Sequence, residues 1–161
     1  MSVGNRITSD DQLARLLQIG IVLEEVVEAR AYHHYSSLDA ELDAAVEDLL
    51  EHAAEESADH RRRLEDLIED LDVESVPFDE IEGLVEARYG RTQPDDFDGV
   101  LYDALCNEET AYKFYDDLIE AIEASDAEFS VNREELIATL SAIREEEAEG
   151  VEEVTAIMEK R

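Results

Sequence analysis

The stretch ALCNEETAYKFYDDLIEAI, residues 104–122, indicates how the whole chain folds. Its apolar residues recur three and four positions apart, which is the spacing of a helix that buries one face. Glu108 falls at the centre of that apolar face, where a charge is unfavourable unless it is paired or bound to a metal. The stretch therefore predicts a packed helix that carries a polar site.

The same periodicity runs through the rest of the 161-residue chain, while glycine and proline are scarce, at six and two residues. We expect four long helices, at residues about 10–35, 40–71, 97–124 and 132–159. Ser9 with Gln12, and Asn132 with Glu135, have the spacing of capping boxes at two of the helix starts. Strand-like alternation is missing from the sequence. The prediction is one all-α domain that spans residues 1–161.

The predicted connections differ greatly in length, and this difference favours one topology. The first and last pairs of helices are joined by short links, so each pair should form an antiparallel hairpin. Residues 72–96, between the hairpins, contain Pro77 and Pro94 and are predicted to include a short helix near residues 80–88. A four-helix bundle with one long crossover is the ferritin-like arrangement.

The charge balance excludes several classes of partner. With 45 acidic and 13 basic residues the net charge is −32, so we expect no binding to nucleic acid or to an anionic membrane. An acidic chain with few lysines is typical of cytoplasmic proteins of salt-loving microbes, in which salt screens the self-repulsion. A calcium buffer or an acidic scaffold is the alternative, although no EF-hand loop occurs. A single cysteine, Cys106, and the lack of a long apolar run also favour a cytoplasmic protein.

Each predicted helix carries ionisable residues on the side that should face the core. They are Glu24 and Glu28, Glu56 and His60, Glu108, and Glu147. Both lysines and most arginines fall on outer faces, so the sequence offers no matching set of inward cations. Because unpaired buried carboxylates are costly, we expect a bound metal ion among them. Carboxylate oxygen and imidazole nitrogen suit iron, manganese or zinc.

Several motifs carry a family resemblance. The pattern of EARAYHHY at residues 28–35 is repeated in EETAYKFY at residues 108–115. The other two motifs, HAAEESADHRRRLEDL (52–67) and IREEEAEGVEEV (143–154), lie in the second and fourth predicted helices. Together they resemble the rubrerythrin branch of the ferritin-like superfamily over nearly the whole chain. That family surrounds two irons with one Glu on each of two helices and a Glu-x-x-His pair on each of the other two.

The resemblance implies a ligand set and a chemistry. The ligands it implies are Glu28, His60, Glu108 and Glu147, with Glu24 and Glu56 as further donors. It implies one or two iron ions, with manganese or zinc as other candidates, and oxidation of Fe(II) by peroxide or oxygen. A non-haem iron oxidoreductase of this type would need a separate electron donor, because the cysteines of a rubredoxin module are missing.

The sequence also departs from the family pattern. Ser57 stands where the family has the Glu of the second helix, and Gly150 stands where it has the His of the fourth. Ala104 occupies the place on the third helix that Glu24 has on the first. A shifted di-metal centre, a single-metal centre and a vestige that binds nothing all remain open. The alternative function is a metal-free helical-bundle module for interaction or dimerisation.

The first helix has a second apolar side, which suggests a partner. Its residues are Ile19, Val22, Leu23 and Val26. We expect a homodimer through this outer face, the alternative being that residues 72–96 cover it. Tyr32, Tyr35, Tyr112 and Tyr115 follow the repeated glutamates by one and two turns. Their hydroxyls either bond the ligand carboxylates or simply pack at the end of the core.

Overall fold

A computed structural model of the chain describes residues 7–37, 44–71, 73 and 97–160, less the side chains of residues 32–37 and 97–99. It has four helices: α1 (Asp10–Ser37), α2 (Ala44–Glu69), α3 (Phe97–Glu123) and α4 (Arg133–Glu159). Within the described ranges there is no strand. Within the described residues, the predicted all-helical fold with four long helices is confirmed. The short helix predicted near residues 80–88 lies outside the described residues.

The starts of α1 and α4 use the predicted capping residues. Ser9 Oγ accepts a hydrogen bond from the Gln12 backbone N–H at 3.2 Å, and Asn132 Oδ1 accepts one from the Glu135 N–H at 3.1 Å. The Gln12 side chain reaches back to the N–H of Thr8 at 2.7 Å. These bonds satisfy N–H groups at the helix ends that lack partners within the helix.

The helices form a bundle of two antiparallel hairpins. α1 packs against α2 and α3, and α4 packs against the same two helices. His60 of α2 lies beside Glu24 of α1, and Asp116 of α3 pairs with Arg144 of α4 at 2.9 Å. Contacts near both ends of α1 show that α3 runs antiparallel to it, from Arg30 with Asp103 to Ile7 with Ser125. Hence α2 and α3 run in the same direction, and α1 and α4 run in the opposite one.

The core consists of two apolar clusters separated by a polar layer. The larger cluster includes Leu13, Leu17, Ile21, Leu64, Leu118, Ile122, Leu140 and Ile143. The smaller includes Ala31, Val46, Leu50, Leu101 and Val154. Along every helix the sequence between the clusters supplies a buried polar residue: Glu24, His60, Glu108 and Glu147. The apolar clusters on both sides fix the helices that carry this layer, because their burial drives the packing.

The second apolar side of α1 is largely covered within the chain itself. Val22 is fully buried and Leu23 is 8% exposed, and Ile19 and Val26 pack against the larger cluster. The homodimer was predicted because an uncovered apolar face needs a partner, and the burial of this face within the chain removes that reason. The homodimer stays a prediction. Among the described helices none is long and apolar enough to cross a bilayer.

Candidate metal centre

Three side chains from three helices meet in the polar layer. His60 Nδ1 of α2 lies 3.0 Å from Glu147 Oε1 of α4 and 3.3 Å from Glu24 Oε1 of α1. All three residues are buried, with Glu24 1% and His60 0% exposed. One ligand atom from each lies within 4.8 Å of the other two. The arrangement brings two carboxylates and an imidazole to one point in the core.

Helix geometry explains why these side chains point inward. Glu24 follows Ile21 by three residues, His60 precedes Leu64 by four, and Glu147 follows Ile143 by four. Residues three and four apart lie on the same helix face. Since Ile21, Leu64 and Ile143 are fully buried, each polar residue continues an apolar stripe into the polar layer.

A second group of carboxylates adjoins the first and shares one member with it. Glu56, Glu108 and Glu147 also place ligand atoms within 4.8 Å of one another. The carboxyl groups of Glu147 and Glu108 lie side by side, a contact that is favoured when one of them carries a proton. Burial, the neighbouring Glu24 charge and the bond to Glu108 raise the pKa of Glu147 well above its ordinary value. Burial and the neighbouring carboxylates therefore favour the protonated form of Glu147.

The other two carboxyl groups of the second group are perturbed in the same direction. Burial, opposed in part by the bond to Glu147, raises the pKa of Glu108. Burial and the charge of Glu108 raise the pKa of Glu56 to about 7. Glu56 also lies 3.3 Å from the exposed His52 at the surface end of the group. Burial therefore favours the neutral forms of these acids, as expected where charges are removed from water.

Tyr115 supports the site from α3. Its hydroxyl donates a hydrogen bond of 2.6 Å to Glu24 Oε1, and burial followed by the Glu24 charge raises the pKa of Tyr115 well above its usual range. Of the two alternatives for the tyrosines, hydrogen bonding to a carboxylate holds at Tyr115. Tyr112 is 37% exposed instead, and the side chains of Tyr32 and Tyr35 lie outside the described residues.

The outer nitrogen of His60 faces a third carboxylate. Nε2 lies 3.6 Å from Glu146 Oε2, and Arg63 binds both oxygens of Glu146 at 2.7 and 3.0 Å. Burial alone would lower the pKa of His60, but the bond to Glu24 and the surrounding carboxylates raise it. The role of Glu146 was missed in the sequence, although its position directly before Glu147 on a helix that faces α2 was a usable signal.

The structure places Glu28 differently from the other predicted ligands. Its carboxylate lies 3.0 Å from Arg61 and is 24% exposed, and it belongs to neither group of ligand atoms. Glu24, one turn earlier, occupies the position in the core that the motif had indicated for Glu28. The physical reason is the antiparallel pairing of α1 and α2, which sets Arg61 opposite Glu28 and gives that carboxylate its own cation.

Gly150 explains how Glu108 fits. A Cβ atom at this position would lie 2.5 Å from Glu108 Oε2 and 2.7 Å from its Cδ, distances shorter than any ordinary contact. The carboxyl group of Glu108 therefore fills the space beside α4 that a side chain at position 150 would need. Ser57, the other departure from the family pattern, is buried on α2.

One arginine faces inward, although most arginines were expected on outer faces. Arg30 is 12% exposed and donates to Asp103 Oδ1 at 2.8 Å and to Asn107 Oδ1 at 3.3 Å. The motif of α3 had not indicated this pair. Because Arg30 and Asp103 carry opposite charges, the pair is neutral and adds no net positive charge to the polar layer.

The residues of the polar layer fit a metal cation. Glu24 Oε2, His60 Nε2 and Glu108 Oε2 are buried and have no hydrogen-bond partner within the described part of the chain. Buried polar atoms are nearly always satisfied, and leaving them unpaired costs free energy. Carboxylate oxygens with an imidazole nitrogen are donors suited to iron, manganese or zinc. A cation among them would supply the missing interactions.

Comparison with known proteins assigns no family. The chain matches no family model, no curated protein and no solved structure. The resemblance to rubrerythrins therefore stays a hypothesis that depends on the motifs alone. The interpretation of the site depends on its own contacts and burial.

Proposed function

We propose that the chain is a metal-binding protein of the ferritin-like, rubrerythrin type, which holds iron, manganese or zinc in its polar layer. The observation that carries the proposal is the approach of His60 Nδ1 to the carboxylates of Glu24 and Glu147, at 3.3 and 3.0 Å, in a fully buried setting. Glu56 and Glu108 form the adjoining group, which shares Glu147 with these donors. The helix directions, with α2 parallel to α3, support the ferritin-like part of the proposal.

The residues around these donors prepare them to bind. Tyr115 fixes one oxygen of Glu24, and Glu146, itself held by Arg63, faces the outer nitrogen of His60. Nδ1 lies nearest the carboxylates of Glu24 and Glu147, so a cation bound there would leave the proton of the ring on Nε2, which faces Glu146 at 3.6 Å. Such an outer carboxylate orients a ligating histidine. Nδ1 of His60 is therefore the nitrogen directed at the metal.

Binding in this setting exchanges protons for the cation. Burial and the Glu24 charge raise the pKa of Glu147 and so favour its protonated form, and a carboxyl group must lose its proton before it coordinates a metal. We therefore propose that metal affinity rises with pH. Bound iron would supply one-electron redox chemistry, and the proposal includes, from the family resemblance, oxidation of Fe(II) by peroxide or oxygen with electrons returned by a separate donor.

Metal analysis of protein purified without chelators tests the proposal. We expect iron, manganese or zinc to copurify with the wild-type chain, and to be lost in the isosteric double variant Glu24→Gln/Glu147→Gln. Glu28→Gln is the matched control, because Glu28 lies on the same helix but pairs with Arg61. Metal-free wild-type protein that also takes up none of the three ions on dialysis would overturn the proposal, as would equal loss in the control.

A metal-free interaction module is the second candidate, and one observation favours it. His60 bonds Glu24 and Glu147, and Glu147 bonds Glu108, so much of the layer is satisfied by its own members. If this is the native state, melting of the protein will be unchanged by excess chelator or by added metal. Under the metal proposal, added cation raises the melting temperature, because a ligand that binds only the folded state stabilises it.

A further inference from the structure

We infer that the centre holds a single cation, at Glu24, His60 and Glu147, and that the carboxyl group of Glu108 fills the place of a second. This inference rests on the proposed function and deepens it. It chooses among the open alternatives, which included a di-metal centre. Four features of the described residues carry it.

The internal repeat shows that the second half of the site lacks its donors. Aligning Glu28 with Glu108 sets Glu24 against Ala104, and aligning Leu64 with Val154 sets His60 against Gly150. The first hairpin thus supplies a carboxylate and an imidazole, while the second hairpin supplies a methyl group and a hydrogen at the matching positions. An ion related to the first by the repeat would have neither ligand.

The space at Gly150 is already occupied by the chain itself. A Cβ there would lie 2.5 and 3.1 Å from the two oxygens of Glu108, so this carboxyl group packs against the backbone of α4. Glu108 is 7% exposed and hydrogen-bonds Glu147. Its position is set by the close fit against α4 on one side and by the neighbouring Glu147 on the other.

The space at Ala104 is apolar. A cleft of about 20 Å³ lies beside Glu108 and includes Ala31, Ala53 and Ala104 in its lining, which is room for about one water molecule. Methyl groups offer a cation nothing to replace its hydration shell. The other polar residues of the lining, Asp103 and Asn107, bond Arg30. This side of Glu108 therefore offers a second ion only donors that an arginine already engages.

The remaining members of the second group are engaged elsewhere. Glu147 is shared with the first group, and Glu56 lies 3.3 Å from His52 at the surface. Glu108 is then the one member of the second group that is neither shared with the first group nor paired at the surface, and it packs against Gly150. The first group, by contrast, has an imidazole nitrogen and the supporting bond from Tyr115 to Glu24.

Manganese binding tests the inference, with Mn(II) alone as the probe. Equilibrium dialysis of the full chain should give one ion per chain, with the electron paramagnetic resonance spectrum of an isolated Mn(II). Glu108→Gln should still bind one ion, whereas His60→Gln should bind none at the same concentration. Circular dichroism checks that both variants are folded, and Glu108→Ala replaces Glu108→Gln if the amide disturbs folding.

The possible outcomes separate this inference from the proposed function. Two ions per wild-type chain with a spin-coupled spectrum, falling to one in Glu108→Gln, would overturn the single-ion inference and leave the metal proposal standing. No binding by the wild-type chain would overturn the proposed function and the inference together. One ion that is lost in Glu108→Gln but kept in His60→Gln would overturn the assignment of the ligands.

Discussion

Glu108 and Gly150 face each other across α3 and α4 so closely that a Cβ at position 150 would lie 2.5 Å from Glu108 Oε2. Gly150→Ala should therefore lower the melting temperature, because the buried carboxyl group must move and lose its bond to Glu147. Overpacking of this kind costs about 1–3 kcal/mol. That exceeds the gain of about 1 kcal/mol from placing alanine instead of glycine in a helix.

The effect of Gly150→Ala on stability should be reversed when Glu108 is replaced by a shorter residue. In a Glu108→Ala background nothing fills the space, so Gly150→Ala should stabilise the protein by about 1 kcal/mol through helix propensity. Urea denaturation of the four proteins forms a double-mutant cycle that measures the coupling. Equal effects of Gly150→Ala in both backgrounds would show that the two residues are not in contact.

The stability of the metal-free protein should fall as pH rises. Burial, then the charge of Glu108, raises the pKa of Glu56 from 4.5 to about 7. Between these two pKa values the folded chain keeps a proton that the unfolded chain releases. The stability that this proton contributes is therefore lost as pH rises from 4.5 to about 7. The raised pKa values of Glu147 and His60 act in the same direction.

Thermal melts in excess chelator, at about pH 5 and about pH 8, measure how steeply stability falls with pH. Glu56→Gln should reduce it, because the amide cannot titrate, while Glu55→Gln on the exposed side of α2 is the neighbouring control. A metal-free protein that becomes more stable with rising pH over this range would contradict the protonation of the layer.

Sequence periodicity was sufficient to predict the helices and most of the polar layer. Glu108, His60 and Glu147 lie on apolar stripes, so their burial follows from the spacing of their neighbours. The choice between Glu24 and Glu28 did not follow, because both continue the same stripe one turn apart. Only the packing of α2 against α1 decides it, by setting Arg61 opposite Glu28.

Gly150 shows a second limit of sequence reasoning. From the sequence it is only a position that lacks a ligand. In the folded chain its missing side chain makes room for Glu108 on another helix. Such complementarity between residues far apart in the chain depends on the register of α3 against α4, which the spacing of apolar residues within one helix does not determine.

Arg63 should act on metal binding without touching the metal. It holds Glu146 through two bonds, of 2.7 and 3.0 Å, and Glu146 faces His60 Nε2. Arg63→Gln should lower the affinity for Zn(II) about 10–100-fold, as loss of outer partners of a ligating histidine commonly does. Titration against a competing zinc indicator measures it.

Arg62 provides the control for Arg63. It is the adjacent arginine, its side chain is 71% exposed and it pairs with Asp59. Arg62→Gln removes the same charge from the same helix, so it should leave zinc affinity nearly unchanged. Equal losses in the two variants would indicate a general effect of charge and would contradict the positioning role of Arg63.

Salt should stabilise the fold. With a net charge of −32 on 161 residues, repulsion between surface carboxylates opposes the compact state, and ions screen it over about 10 Å at 0.1 M and about 3 Å at 1 M. We expect the melting temperature to rise with KCl over this range. Sucrose of equal osmolality is the control for general exclusion effects, and a melting temperature independent of KCl would contradict the predicted adaptation to high salt.

Anomalous X-ray diffraction at the zinc edge, from crystals grown with Zn(II), tests the central claim most directly. The account predicts one strong peak inside the bundle, with His60 Nδ1 and an oxygen of each of Glu24 and Glu147 at about 2.0–2.2 Å. A bundle interior without a peak at saturating zinc, or a peak coordinated by Glu28 in place of Glu24, would contradict it.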